Sequence, residues 1–341
     1  MKKTLLLIVL GVLSLTMWAQ SDLRTAILQH DGDVSVFKGA TAFADAYAIA
    51  VDGDVITLSD GTFTSTPIAK SITIYGAGFE SDEETNTAIT TLSGDLIVGV
   101  ADATLSGFHI EGVKVNGRLR AATNSSNSTT AQLQNCVFKK CYVTGDFTFS
   151  SNIENVSIEQ CLLGTYINGI NAVVATNLMI SNCYVTRNVQ LFNTQSTVLL
   201  DHCIIGWNYN GYGNKPECLY SAFTWTNCIQ LGGGNWSSPS STGYNCTIIN
   251  CAGVGNGGTG STTSNCYNVS GGEIFVNGGA YTETNTFELQ QPDVWVGTDG
   301  TPIGPSGGIG WNKVPCMPVV KSLQLNVDGK TLNVNYEADP R

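Results

Sequence analysis

The chain has 341 residues, 42% of them hydrophobic and 13% charged, which is apolar enough to exclude a disordered chain. Its 16 basic and 27 acidic residues leave a net charge of −11, a field that repels nucleic acid, anionic membrane surfaces and acidic polysaccharides. With 3 histidines, chemistry built on several imidazoles is excluded as well.

Lys2 and Lys3 precede an apolar run over 5–15, and Ala19 supplies a small residue for cleavage. That order reads as a signal peptide over 1–19, and the run is too short for the ~20 residues of a transmembrane helix. The expected location is therefore outside the cytoplasm: secreted, periplasmic or on the cell surface. No second apolar span is present, and no cysteine follows the run to carry a lipid anchor.

Next, Phe43, Ala46, Tyr47, Ala50 and Val51 fall at i, i+3, i+4, i+7 and i+8, which predicts a helix over 41–51. Asp52-Gly-Asp54 then turns the chain, residues 55–58 read as a strand, and 71–75 read as another closed by Gly76-Ala-Gly78. Calcium would need six to eight clustered oxygens, so Asp31-Gly-Asp33 and Asp52-Gly-Asp54 read as ordinary turns.

From residue 133 to 266 a motif repeats: Gln134-Asn-Cys-Val-Phe138, Ile158-Glu-Gln-Cys-Leu-Leu163, Ile180-Ser-Asn-Cys-Tyr-Val185 and Leu200-Asp-His-Cys-Ile-Ile205, with shorter copies ending at Cys228, Cys251 and Cys266. The cysteines Cys136, Cys161, Cys183, Cys203, Cys228, Cys251 and Cys266 lie 25, 22, 20, 25, 23 and 15 residues apart, the period of a stacked solenoid. Apolar residues step by two inside each strand but by three across the motif, as in Leu178, Ile180, Cys183 and Val185. One residue is thus consumed in a bend, and it is Asn135, Gln160, Asn182, His202, Asn227, Asn250 or Asn265. Asparagine tolerates left-handed backbone angles. Stacked coil on coil, Asn135, Asn182, His202, Asn227 and Asn250 are expected to form a side-chain ladder, with the following cysteines pointing inward. Neighbouring coils lie ~4.8 Å apart, within disulfide reach, but parallel side chains point the same way. Free thiols are therefore expected in the column, while Cys141, Cys218, Cys246 and Cys316 remain places for an incidental disulfide.

This pattern resembles the right-handed parallel β-helix of the pectate-lyase-like superfamily, in which asparagine ladders sit at a tight bend. Residues 43–63 look like that superfamily's capping helix and first coil, and 71–78 like its second coil; the resemblance spans about residue 40 to about 266. It implies a single-stranded, right-handed parallel β-helix with an N-terminal cap over 20–315. After a glycine-rich stretch over 297–310, alternating residues on both sides of Asp328-Gly329 predict a β-hairpin within 316–341. It is expected to cap the last coil's open edge, with an appended module as the alternative.

The resemblance does not fix an activity, because enzymes and non-catalytic proteins share this scaffold. A lyase would need a basic residue and calcium-holding acids; a hydrolase would need paired carboxylates. No Asp-Asp pair or Gly-His-Gly triplet of the polygalacturonase kind is present. Glu159, Arg187 and Asp201, with Glu217 and the basic group Lys114, Arg118, Arg120, Lys139 and Lys140, are the weak catalytic candidates. His202 reads as a bend residue, and His30 and His109 have no partner at a catalytic spacing. Trp207, Tyr209 and Tyr212 stand among Asn and Gly in one insertion, and Trp236 in the next. Aromatic faces beside amides suit a sugar ring, although such rings also cover their own loops. The leading expectation is an exported, non-catalytic scaffold that binds a polysaccharide or glycan or serves as an adhesin. The alternative is a polysaccharide lyase or glycoside hydrolase. No cofactor or metal is expected, calcium entering only with the lyase alternative. The sequence sets neither the ligand nor the oligomeric state.

Overall fold

A computed structural model describes residues 24–81, 88–99, 103–122, 132–170, 173–190, 192–193, 195–206, 223–231, 246–254, 260–270, 273–315, 319–328 and 331–339. The expected signal segment over 1–19 lies outside the described residues.

Short strands stack into three sheets of 14, 8 and 5 strands, parallel but for the first two strands of the chain. One coil shows the plan: Ile153–Glu159 in sheet 1, Leu162–Leu163 in sheet 2 and Ile167–Gly169 in sheet 3, after which Ala175–Ser181 rejoins sheet 1. Register holds from coil to coil, with Ile158 beside Ile180, Leu163 beside Val185 and Ile167 beside Val189. The architecture is therefore all-β and solenoid-like, as the repeat predicts.

Alternation puts every second side chain inside. Ile56, Ile74, Ile110, Phe138, Ile158, Ile180, Leu200, Trp225 and Ile248 form one column through sheet 1, none more than 1% exposed. Each such burial stabilises by ~1.5–3 kcal/mol. Beside it runs an aromatic file, with Phe138 4.9 Å from Phe147, then Phe149, Phe192 and Phe223.

The bends adopt left-handed angles as expected, with φ between 48° and 57° at Asn182, His202, Asn227, Asn250 and Asn265 and 51° at Gln160. The phase differs from the expectation at the first copy. Lys139 pairs with Glu159, so the residue equivalent to Gln160 is Lys140 (φ 47°), and Cys141 heads the thiol column. Asn135 and Cys136 belong to an earlier bend within sheet 1, alongside Asn155 and Asn177, which also have positive φ. There a true amide ladder forms: Asn155 Nδ2 donates to Asn135 Oδ1 at 3.2 Å, and Asn177 Nδ2 to Asn155 Oδ1 at 3.0 Å.

The N-terminal end is closed by antiparallel strands that the repeat did not announce. Strands β1 (Thr25–His30) and β2 (Asp33–Lys38) form a hairpin, and β1 pairs antiparallel with β3 (Val55–Leu58). Helix α1 (Ala42–Ile49) packs Ala42, Phe43 and Ala46 beneath them. It ends earlier than the expected 41–51: Ala50 has ψ 151°, and Val51 is 48% exposed.

Parallel stacking ends at Thr262–Ser264. The chain then folds back as an irregular strap over the outer face of sheet 2. Leu162, Tyr184, Ile204, Ile229 and Ala252 on that face pack with Phe275, Phe287, Leu289, Trp295 and Ile303 in a second core. The strap travels back along the coils until Pro315 lies against Gly112. Val319–Asp328 and Thr331–Asp339 follow as the expected hairpin, pairing with each other and with no other described strand.

Candidate functional site

The strap crosses the row of bends and reads it one residue at a time. Asn250 Nδ2 donates to Val296 O at 3.1 Å, and Thr298 N–H donates to Asn227 Oδ1 at 2.7 Å. His202 Nδ1 lies 3.1 Å from Gly304 O. Asn182 Nδ2 donates to Pro305 O at 3.1 Å and to Gly307 O at 2.7 Å. Gln160 Nε2 donates to Gly310 O at 2.8 Å, and Lys140 Nζ to Val314 O at 2.5 Å. The expected ladder among Asn182, His202, Asn227 and Asn250 is thereby corrected. These side chains turn outward to the strap, Asn182, His202 and Asn250 to its carbonyls and Asn227 to the N–H and hydroxyl of Thr298, and of the four His202 and Asn227 touch each other, at 3.1 Å. The sequence signal, bend residues with hydrogen-bonding side chains, was right; their partner was missed because it is backbone.

Behind the bends, the thiols join the ladder. The N–H of Cys141 meets Cys161 Sγ at 3.4 Å, Cys161 meets Cys183 at 3.4 Å, Cys203 meets Cys228 at 3.4 Å and Cys228 meets Cys251 at 3.3 Å. The sulfurs of Cys141, Cys161, Cys183, Cys203 and Cys251 in turn face carbonyls of the preceding coil, as Cys183 Sγ does Ile158 O at 3.3 Å, while Cys228 Sγ faces Thr226 O of its own strand at 3.1 Å. Desolvation raises the thiols of Cys141, Cys183 and Cys228, and their sulfur neighbours add to it. At Cys161 and Cys203 burial pushes the same way, but the bonds their sulfurs accept outweigh it and the net shift is down. The nine described cysteines, Cys141 and Cys246 among them, are free thiols, while Cys218 and Cys316 lie outside the described residues.

Where the strap ends, it encloses a cleft of about 560 Å³ with Glu80 and Ser81 on one side and Glu283, Thr284, Asn285, Thr286, Trp311, Asn312 and Lys313 around it. Glu80 is 7% exposed, and Lys313 Nζ donates to its Oε2 at 2.6 Å and to Glu283 O at 2.6 Å. Tyr281 Oη donates to Glu80 Oε1. Burial and that carboxylate hold the Tyr281 phenol protonated far above its ordinary range. Trp311 leans edge-on against Phe287 at 5.5 Å, and its buried Nε1 has no hydrogen-bond partner among the described residues. Asn285 donates to Gly278 O at 3.0 Å and to Ala280 O at 2.8 Å, which ties its loop to the segment before it. Sequence reasoning missed this cleft: its walls are 233 residues apart, and neither carries a periodic signal.

Of the catalytic candidates, Lys139 lies beside Glu159 in sheet 1, and Glu159 and Asp201 share that row with Ser181 between them. Asp201 Oδ1 accepts from Thr226 Oγ1 at 2.7 Å and from Asn227 Nδ2 at 2.9 Å. Arg187 stands in the turn between sheets 2 and 3, its guanidinium 5.0 Å from the Tyr166 ring centroid and Nη1 3.1 Å from the Tyr166 hydroxyl. His30 Nδ1 contacts Asp54 Oδ1 at 2.7 Å at the N-terminal end, and His109 Nε2 lies 3.5 Å from Glu111 Oε2. Trp207, Tyr209, Tyr212, Trp236 and Glu217 lie outside the described residues. Among the described residues no helix is long and apolar enough to cross a membrane. No family model, curated protein or solved structure compared with this chain matches it.

Proposed function

We propose that the chain is an exported, right-handed parallel β-helix of the pectate-lyase-like kind that binds carbohydrate without cleaving it. Right-handed winding follows from strand twist, which favours that hand in parallel crossovers. The observation that carries the binding role is the cleft at Glu80 and Trp311. An indole beside Ser81, Thr284, Thr286 and Asn312 offers an apolar ring for a sugar face and hydroxyl or amide groups for its substituents. Because Lys313 is already paired with Glu80, the remaining charge is the Glu283 carboxylate. That balance favours neutral or amine-bearing sugars and disfavours uronates.

A glycan array followed by titration calorimetry tests this reading. Wild type binds neutral or amino-sugar oligosaccharides, and Trp311→Ala loses that binding while Trp207→Ala and Trp236→Ala retain most of it. Unchanged binding in Trp311→Ala removes the cleft. Release of unsaturated products or reducing ends from a polysaccharide replaces the binding role with the lyase or hydrolase alternative.

A further inference from the structure

At the N-terminal end, sheet 1 stops at β2, which pairs with β1 on one side and with no described strand on the other. The hairpin turn at Asp31 and Gly32 has φ 46° and 90°, a two-residue turn that makes His30 and Asp33 the closing hydrogen-bonded pair. At the other end, Gly39 N–H bonds Arg24 O at 2.9 Å. Antiparallel pairs alternate, so Asp33, Ser35 and Phe37 direct their backbone groups at β1. Val34, Val36 and Lys38 direct theirs outward, to an edge that no described strand covers.

The side chains at that edge are apolar where a solitary edge is normally charged. Val34 is 60% exposed and Val36 55%; Ile49 and Val51, from the neighbouring helix and its exit, are 58% and 48% exposed. Four of the nine large exposed hydrophobics among the described residues therefore sit within 18 residues at one end of the molecule.

We propose that this edge pairs with a second copy of the chain, β2 against β2 about a two-fold axis, joining two solenoids end to end. Outward backbone groups must face outward groups, which restricts the register. With Ser35 opposite Ser35 of the second copy, Val34 meets Val36 and Val36 meets Val34 on one face, and the four valines cover each other. Charge agrees: this register sets Lys38 opposite Gly32 of the second copy, between Asp31 and Asp33 of that acidic turn, twice by symmetry. A single strand pair is a small interface, so the dimer is reversible.

Sedimentation equilibrium of the purified protein from micromolar to millimolar concentration tests the pairing. The weight-average mass rises toward twice the monomer. Val36→Pro removes an outward N–H without touching the β1 ladder, so it stays monomeric with an unchanged circular dichroism spectrum. Lys38→Glu weakens the dimer at least about tenfold, and adding Asp31→Lys and Asp33→Lys to it restores the affinity. If Val36→Pro fails to fold, Val34→Lys with Val36→Lys makes the same test. A wild type that stays monomeric throughout, or a dimer unaffected by these changes, overturns the proposal; the second outcome places the contact on another surface. Glycan binding at the Trp311 cleft is read separately and is independent of either result.

Discussion

The backbone N–H of Cys141 points at the sulfur of Cys161 in the next coil, 3.4 Å away. At a left-handed bend the ladder of backbone bonds is interrupted, and the N–H just past the bend would be an orphan. A cysteine one coil on supplies the acceptor and fills the interior at the same time. Chemistry, not shape alone, therefore selects cysteine. Cys161→Ser keeps an acceptor and a donor, whereas Cys161→Val keeps the bulk and strands the N–H of Cys141. Chemical denaturation should show Val costing more than Ser, by ~1–3 kcal/mol for the orphaned group. The reverse order would mean that the column is packing alone.

Asn182 does two jobs, and two substitutions separate them. Its backbone has φ 48°, and its amide donates to Pro305 and Gly307 in the strap. Asn182→Gly keeps the backbone easy and deletes the amide, costing ~1–3 kcal/mol for two hydrogen bonds. Asn182→Ala adds left-handed strain of ~1–2 kcal/mol. Hydrogen exchange should accelerate over 303–310 in both variants, while the sheet 2 strands stay protected. Equal protection of the strap in wild type and Asn182→Gly would show that the amide does not hold it.

These two positions mark the limits of what the sequence discloses. The repeat, the inward columns and the residue types at the bends were legible because period and left-handed tolerance are local properties. The phase at the first copy was not. Asn135-Cys136 has the motif's letters, yet it serves the earlier bend, and Lys140 holds the place that Gln160 and Asn182 hold in later coils. Lysine is an unexpected left-handed residue, but here Val314 O and the nearby Glu111 carboxylate, 3.6 Å from Nζ, compensate it. The β1–β2 hairpin carried a short signal, Asp31-Gly32 between alternating residues, that reads equally as a plain turn. The strap and its cleft left no signal at all, since the strap binds largely through its backbone and closes on Glu80 from 233 residues away.

The hairpin's His30 gives stability a pH dependence. Its Nδ1–H donates to Asp54 Oδ1 at 2.7 Å, and that bond and the carboxylate's charge raise the imidazole above its ordinary value. Burial alone would raise the Asp54 carboxyl, but the Val51 N–H and His30 outweigh it and the net shift is down. His30 therefore contributes fully below its unfolded value of ~6.5, and the contribution is lost as pH rises through the raised value. Asp54 contributes above its unfolded value of ~3.9 and loses that as pH falls through the lowered one. The pair is strongest from about pH 4 to 6.5. Melting temperature should fall from pH 6.5 toward 8, and Asp54→Asn should flatten that limb. A wild-type slope identical to that of the variant would assign the dependence elsewhere.

Gly308 tests the contact between the strap and His202. Its φ is 58°, and a Cβ there would come within 2.8 Å of His202 Cδ2 and 3.2 Å of Cγ. Gly300 also has positive φ, at 81°, but a Cβ there would meet nothing within 4 Å. Both alanine variants carry left-handed strain of ~1–2 kcal/mol, and Gly308→Ala adds overpacking of ~1–3 kcal/mol against the buried ring. His202→Gly keeps the left-handed bend (φ 50°) easy, and it removes the ring atoms the new methyl would strike. In that background Gly308→Ala should cost no more than Gly300→Ala, a coupling that a double-mutant cycle in denaturant measures directly. Additive losses would mean that the strap yields at Gly308 without leaning on His202.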